Sequence, residues 1–207
     1  MTAWPQLRRS LVAILRGVGP DEIEPIAAAL IEEGFEALEI PLNSPEPFVS
    51  IGKAVRLAPQ GCLVGAGTVL EVADVDRLAD VGGRLMISPN VEPAVIARAG
   101  EKGLVSMPGV FTATEALLAV RSGASALKFF PASVLGPAGI KAVRAVLPPE
   151  LEIGAVGGVS EADFENYAAA GIRTFGLGTS LYRPGMSADE VRARARASIA
   201  AYDAAFQ

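Results

Sequence analysis

Histidine is absent from this 207-residue chain. Without imidazole there is no Ser-His or Cys-His nucleophile pair, and the nitrogen ligands that catalytic zinc sites commonly use are missing. Acid–base chemistry then falls to carboxylates, lysine, tyrosine or water. Cysteine occurs once, at Cys62, which excludes an internal disulfide and suits a reducing cytoplasm. No apolar run approaches the roughly 20 residues that span a bilayer. The charged segment Met1–Arg9 lacks the apolar core of a secretory signal, because Leu11–Leu15 runs straight into Arg16. Basic clusters are also missing and the net charge is −5, which argues against nucleic acid as a partner.

Lysine is scarce too, with only four in the chain. Lys53, Lys102 and Lys141 stand in polar or amphipathic surroundings. Lys128 stands inside Ser125-Ala126-Leu127-Lys128-Phe129-Phe130-Pro131, an apolar run closed by proline that reads as a buried strand of a parallel sheet. An ammonium buried there costs several kcal/mol, roughly, unless it is paired or neutralised. A buried lysine usually sheds its proton, and the free amine is a nucleophile toward ketones. The plainer alternative is a strand-end lysine snorkelling into solvent.

What the chain has in abundance is hydrophobic residues, at 51 %, and 22 glycines, enough for a sizeable core. Strand-like runs alternate with helical patterns throughout. Strands are expected at Leu11–Leu15, Phe35–Ile40, Cys62–Ala66, Arg84–Ile87, Leu104–Met107, the lysine stretch, Glu152–Val156 and Thr174–Leu177. A helix follows each, including one over Ile140–Val146 and a last one over Ala188–Phe206. Thr112 and Glu115 have the spacing of a capping box. Eight strand–helix units without a low-complexity linker predict one α/β domain over residues 1–207, a (β/α)8 TIM barrel. The alternative is an open doubly wound sheet. Met1–Arg9 is expected as a short helix or arm, with Trp4 and Leu7 capping one end of the barrel.

In such a barrel the C-terminal strand ends meet at one face, where active sites are built. Those positions hold Arg16, Glu39, Thr68, Pro89, Lys128, Gly157, Gly158, Gly178 and Thr179. Lys128 as a free amine suits imine formation with a ketone. Glu39, the one carboxylate in the set, suits proton transfer. Arg16 offers a planar fork for a carboxylate or phosphate, and Thr68 one further hydroxyl. The glycine turns after strands seven and eight put backbone N–H groups where barrels often hold a phosphate. Neither continues into a Walker or dinucleotide loop, so neither ATP nor NAD is expected and no cofactor is assigned.

With these residues placed, the chain resembles the family of 2-keto-3-deoxy-6-phosphogluconate and 2-dehydro-3-deoxy-6-phosphogalactonate aldolases. The likeness runs from about Leu11 to Tyr182. It rests on Ile14-Leu15-Arg16-Gly17, Glu39-Ile40-Pro41-Leu42-Asn43-Ser44-Pro45, Gly65-Ala66-Gly67-Thr68-Val69, Ser88-Pro89-Asn90, Lys128-Phe129-Phe130-Pro131 and Val156-Gly157-Gly158-Val159. The resemblance implies a metal-free class I aldolase, a (β/α)8 barrel and usually a homotrimer. Such an enzyme cleaves a phosphorylated keto-deoxy sugar acid into pyruvate and D-glyceraldehyde 3-phosphate. It implies the Schiff base on Lys128, proton transfer by Glu39, substrate binding by Arg16 and Thr68, and a phosphate end at Gly157, Gly158, Gly178 and Thr179. Gluconate-type members typically have arginine where this chain has Asn43 and threonine where it has Val156. Both departures resemble the galactonate-type branch, and the first removes one possible carboxylate contact. The competing expectations are cleavage of the gluconate epimer, a phosphosugar isomerase or epimerase with Glu39 as base, and a catalytically silent phosphometabolite-binding module.

Overall fold

The computed structural model describes residues 2–206. Nine parallel strands form one sheet: β1 (Leu11–Ile14), β2 (Ala37–Pro41), β3 (Leu63–Gly67), β4 (Leu85–Ile87), β5 (Val105–Met107), β6 (Gly109–Val110), β7 (Ala126–Phe129), β8 (Glu152–Val156) and β9 (Thr174–Leu177). The order across the sheet is β5-β4-β3-β2-β1-β9-β8-β7-β6. Its two ends, β5 and β6, are separated in the chain only by Pro108. The first is the expected fifth strand, and the second continues it beyond Pro108, where a turn was expected. Proline has no N–H to give a ladder, so the strand breaks there and each half pairs with a different neighbour. The sheet thereby curls into the expected barrel. At the seam the Ser125 N–H donates to Ser106 O (3.1 Å), the Lys128 N–H to Pro108 O (2.9 Å) and the Phe130 N–H to Val110 O (3.1 Å).

Side chains along each strand alternate between the barrel interior and the helical shell. In β7, Leu127 and Phe129 join the core under the helices while Ala126 faces inward with Val12, Ala37, Leu63, Leu85 and Val105. Lys128 shares the inward parity, and so does Glu39, two positions beyond Ala37. The shell consists of α1 (Ile23–Glu33), α2 (Pro47–Leu57), α3 (Val72–Asp80), α4 (Pro93–Glu101), α5 (Ala113–Arg121), α6 (Ala132–Arg144), α7 (Phe164–Ala169) and α8 (Ala188–Phe206). The capping box of Thr112 and Glu115 opens α5 as expected.

One local expectation is narrowed and another changes. The first residues form an arm, without a helix among residues 2–10. Its Arg8 and Arg9 N–H groups donate to Glu36 Oε2 (2.7 and 3.3 Å), and the Arg9 guanidinium grips Asp203 on α8 (2.6 Å). Trp4 and Leu7 do cap the foot of the barrel, packed on its inward residues. The helix expected over Ile140–Val146 begins earlier, at Ala132, and is interrupted at Gly136 (φ 68°, ψ 168°). Pro137 drives its predecessor out of the helical region, so a first turn after Lys128 was hidden behind a Gly-Pro signal.

Phe175 on β9 is fully buried and anchors the closing helices. Its ring lies 4.5 Å from Phe164, 5.9 Å from Tyr167 and 6.0 Å from Phe206, centroid to centroid. Phe175→Ala should cost about 3–5 kcal/mol, read as a lowered urea midpoint with cooperative unfolding retained.

Candidate active site

Lys128 and Glu39 reach the barrel interior near its C-terminal mouth, where they are 6 % and 2 % exposed. The lysine does not snorkel. Both line one narrow gap with Val12, Ile14, Ile87, Met107, Val156 and Gly176. They form no ion pair within 4.0 Å among the described residues, yet each feels the other's charge. Burial lowers the Lys128 pKa from its ordinary 10.5; Glu39 opposes that shift and Arg16 adds to it. Burial raises the Glu39 pKa from 4.5, against the pull of Lys128 and Arg16. The two groups are thus driven toward a neutral amine and a protonated carboxyl.

Glycines make room for these long side chains. A Cβ on Gly67 would lie 1.4 Å from Glu39 Oε2, so the carboxyl occupies the space that a side chain at 67 would fill. That oxygen is buried without a hydrogen-bond partner. Lys128 is in register with Gly109 on one side and Gly154 on the other. The main chain of Pro89 fills the first gap and Met107 Cε the second, with hypothetical Cβ distances of 2.3 Å to each. Pro89 thereby backs the strand beside the lysine. Phe130, still 37 % exposed, holds its ring 4.9 Å from Lys128 Nζ and also packs on Gly157.

Arg16 follows β1 with the same inward parity and is exposed at the mouth. Its Nη1 donates to Asn43 Oδ1 and its Nη2 to Thr68 Oγ1 (3.5 Å). Asn43 therefore touches the arginine in place of supplying a cation of its own. Thr68 adopts φ 56°, a left-handed conformation costly for a β-branched residue, and so is held in place by its surroundings. The adjoining turn is fixed from two sides: the Gly17 N–H donates to Ser44 Oγ (2.9 Å), and Pro184 fills the space beside Gly17. Sequence reasoning missed Ser44, Gly67 and Phe130, whose roles depend on packing between distant strands.

The two glycine turns follow β8 and β9, next in the barrel after β1 and its Arg16. Gly157 (φ 91°) and Gly158 (φ 72°) take conformations that L side chains rarely adopt. The N–H groups of Gly157, Gly158, Gly178 and Thr179 donate to no acceptor among the described residues. Arg194 on α8 draws the Thr179 and Ser180 carbonyls toward itself (3.3 and 3.1 Å). Uncommitted donors at two adjacent turns form an anion cradle. Depressions of about 350 and 420 Å³ open at the barrel foot around Trp4, Pro5 and Gln6, and none of the residues proposed for chemistry lines them.

A buried amine with a lowered pKa, a buried carboxyl with a raised one, a guanidinium fork and uncommitted N–H donors at the barrel mouth can together capture a ketone carrying two anionic groups. Comparison with known proteins points the same way. Residues 6–197 match the family model for KDPG and KHG aldolase. The chain is 69 % identical to a probable 2-dehydro-3-deoxy-6-phosphogalactonate aldolase of Rhizobium meliloti strain 1021, covering 98 % of this chain and 95 % of that one. It is 45 % identical to the 2-dehydro-3-deoxy-6-phosphogalactonate aldolase of Escherichia coli strain K12, over 98 % of each. A solved structure described as native KDPGal superposes with a TM-score of 0.95 at 45 % identity, again over 98 % of each chain.

The unfavourable burial of Lys128 has a measurable signature. Because its folded pKa is lowered, the unfolded chain binds more protons between that value and 10.5, and stability rises with pH across the window. Glu39 has the opposite sign, and its contribution is lost as pH rises from 4.5 through the raised value. Lys128→Met should therefore stabilise the fold at neutral pH, by about 1–4 kcal/mol. The advantage should shrink as pH approaches 10.5, in urea titrations at stepped pH.

Proposed function

The chain belongs to the KDPG and KHG aldolase family, and on that premise we propose that it cleaves 2-dehydro-3-deoxy-6-phosphogalactonate into pyruvate and D-glyceraldehyde 3-phosphate. The observation that carries this reading is the buried, unpaired Lys128 beside Glu39. The free amine adds to the C2 carbonyl, and Glu39 supplies the proton with which the carbinolamine loses water to give the iminium. The Glu39 carboxylate left behind then takes the C4 hydroxyl proton as the C3–C4 bond breaks. Its electrons pass to the iminium nitrogen as an enamine, and the aldehyde departs. Protonation at C3 and addition of water then release pyruvate and the amine.

The substrate's two anions are assigned by their distance from the amine. The carboxylate is bonded to the carbon that forms the imine. Arg16, whose charge acts on both Lys128 and Glu39, is therefore its partner, steadied by Asn43 and Thr68. The phosphate lies four carbons further on, which suits the N–H cradle of Gly157, Gly158, Gly178 and Thr179. Pro89 supports the wall beside Lys128. Val156 lines the gap with Lys128 and Glu39 and offers no hydroxyl to the C4 oxygen, which favours the galactonate epimer. We take the chain as one catalytic domain acting in the cytoplasm, and as a homotrimer. Val49, Val134 and Val146, each at least half exposed, supply apolar surface for subunit contacts.

Borohydride added with pyruvate should attach a reduced three-carbon adduct to Lys128, read by peptide mass. Lys128→Ala should lose the adduct and activity on the order of 10³-fold or more. Activity retained by that variant would overturn the mechanism. Coupled assays of pyruvate release should favour the galactonate over the gluconate epimer. Val156→Thr should narrow that preference by about tenfold, the worth of one good hydrogen bond; equal or reversed rates for the wild type would overturn the epimer assignment.

A further inference from the structure

Ser133 stands against the Gly157–Gly158 turn, in the short first segment of α6 before the Gly136 interruption. Its N–H donates to Gly157 O (3.1 Å), which ties it to the turn. A Cβ built on Gly158 would lie 2.4 Å from Ser133 Oγ. With a carbon–carbon bond of about 1.5 Å, the hydroxyl is therefore within ~4 Å of the Gly158 Cα. Glycine at 158 is thus required twice, once by its φ and once by this hydroxyl. The hydroxyl has no hydrogen-bond partner among the described residues and lies on an exposed residue. It caps no helix, since the N-cap position of α6 is Pro131 and no side chain caps it. A serine hydroxyl aimed at a turn whose own N–H groups are uncommitted is a donor awaiting an acceptor.

We propose that Ser133 donates its hydroxyl to the substrate phosphate, adding a side-chain donor to the backbone cradle. This rests on the aldolase reading above and extends its phosphate end. The backbone groups point in fixed directions, whereas a hydroxyl rotates to follow a phosphate oxygen, and bonds to a charged acceptor are the strong ones. Ser133 is five residues beyond Lys128 on one continuous segment, and Phe130 between them packs on Gly157. The segment that carries the nucleophile therefore also sets how far from the imine carbon a phosphate is accepted. Ser133 acts as a ruler for the chain length of the phosphorylated keto acid.

The test runs the reaction in the synthetic direction, pyruvate plus aldehyde, with D-glyceraldehyde 3-phosphate and D-glyceraldehyde as alternative acceptors. In Ser133→Ala the ratio of kcat/KM for phosphorylated over unphosphorylated acceptor should fall about tenfold, chiefly through KM. An unchanged ratio would overturn the proposal, whether both acceptors are unaffected or both lose equally, as a merely structural role requires. Borohydride trapping of pyruvate on wild-type Lys128, measured alongside, separates the two levels: failure to trap overturns the aldolase reading itself.

Discussion

Burying an amine and a carboxyl in one barrel without letting them pair is the constraint to which the rest of the structure answers. Two opposite charges about 4 Å apart attract by about 4 kcal/mol at the effective dielectric of a protein. Desolvation of each costs several. Direct pairing would have fixed both groups in their charged and chemically idle forms. Here burial is the largest influence on both, lowering the pKa of the amine and raising that of the carboxyl, which pushes each toward its neutral form. The glycines at 67, 109 and 154 follow from this. An eight-stave barrel is just wide enough to be filled by side chains, and long inward residues fit only where their neighbours, or the positions facing them, give up a Cβ. Met107, Glu39 and the Pro89 main chain each use such a vacated space.

Much of this was legible because the chemistry broke a pattern. A lysine within Ala-Leu-Lys-Phe-Phe and a glutamate within Ala-Leu-Glu-Ile contradict the apolar character of their strands, and strand parity sends both inward. The barrel was legible from alternation alone. The split at Pro108 was not, because whether a proline ends a strand or divides it depends on which neighbours pair beyond it. The role of Asn43 was also hidden. Its residue type signals a lost cation, whereas the fold uses its carbonyl oxygen to hold the guanidinium of Arg16 across 27 residues of sequence. Ser133 was masked by the Pro131 and Gly136-Pro137 signals around it, which read as a loop. The contact that gives it meaning comes from β8. Residues identified by their own chemistry can be found in a sequence; those identified by what they touch cannot.

On the proposed reading the site's electrostatics change sign during turnover. In the empty enzyme Arg16 adds to the depression of the Lys128 pKa and so keeps the amine nucleophilic. The incoming keto acid places its carboxylate against Arg16 and cancels that influence. The iminium formed next carries a positive charge in the same low-dielectric pocket, now facing a carboxylate and a Glu39 that has given up its proton. A pocket hostile to a cation before binding thus becomes one that stabilises it once the substrate supplies the missing charge. For this to work, the arginine must sit close enough to act on the lysine but be turned outward to meet an anion. The clasp of Asn43 and Thr68 on its guanidinium, with Ser44 and Pro184 fixing the turn behind it, holds it in that orientation.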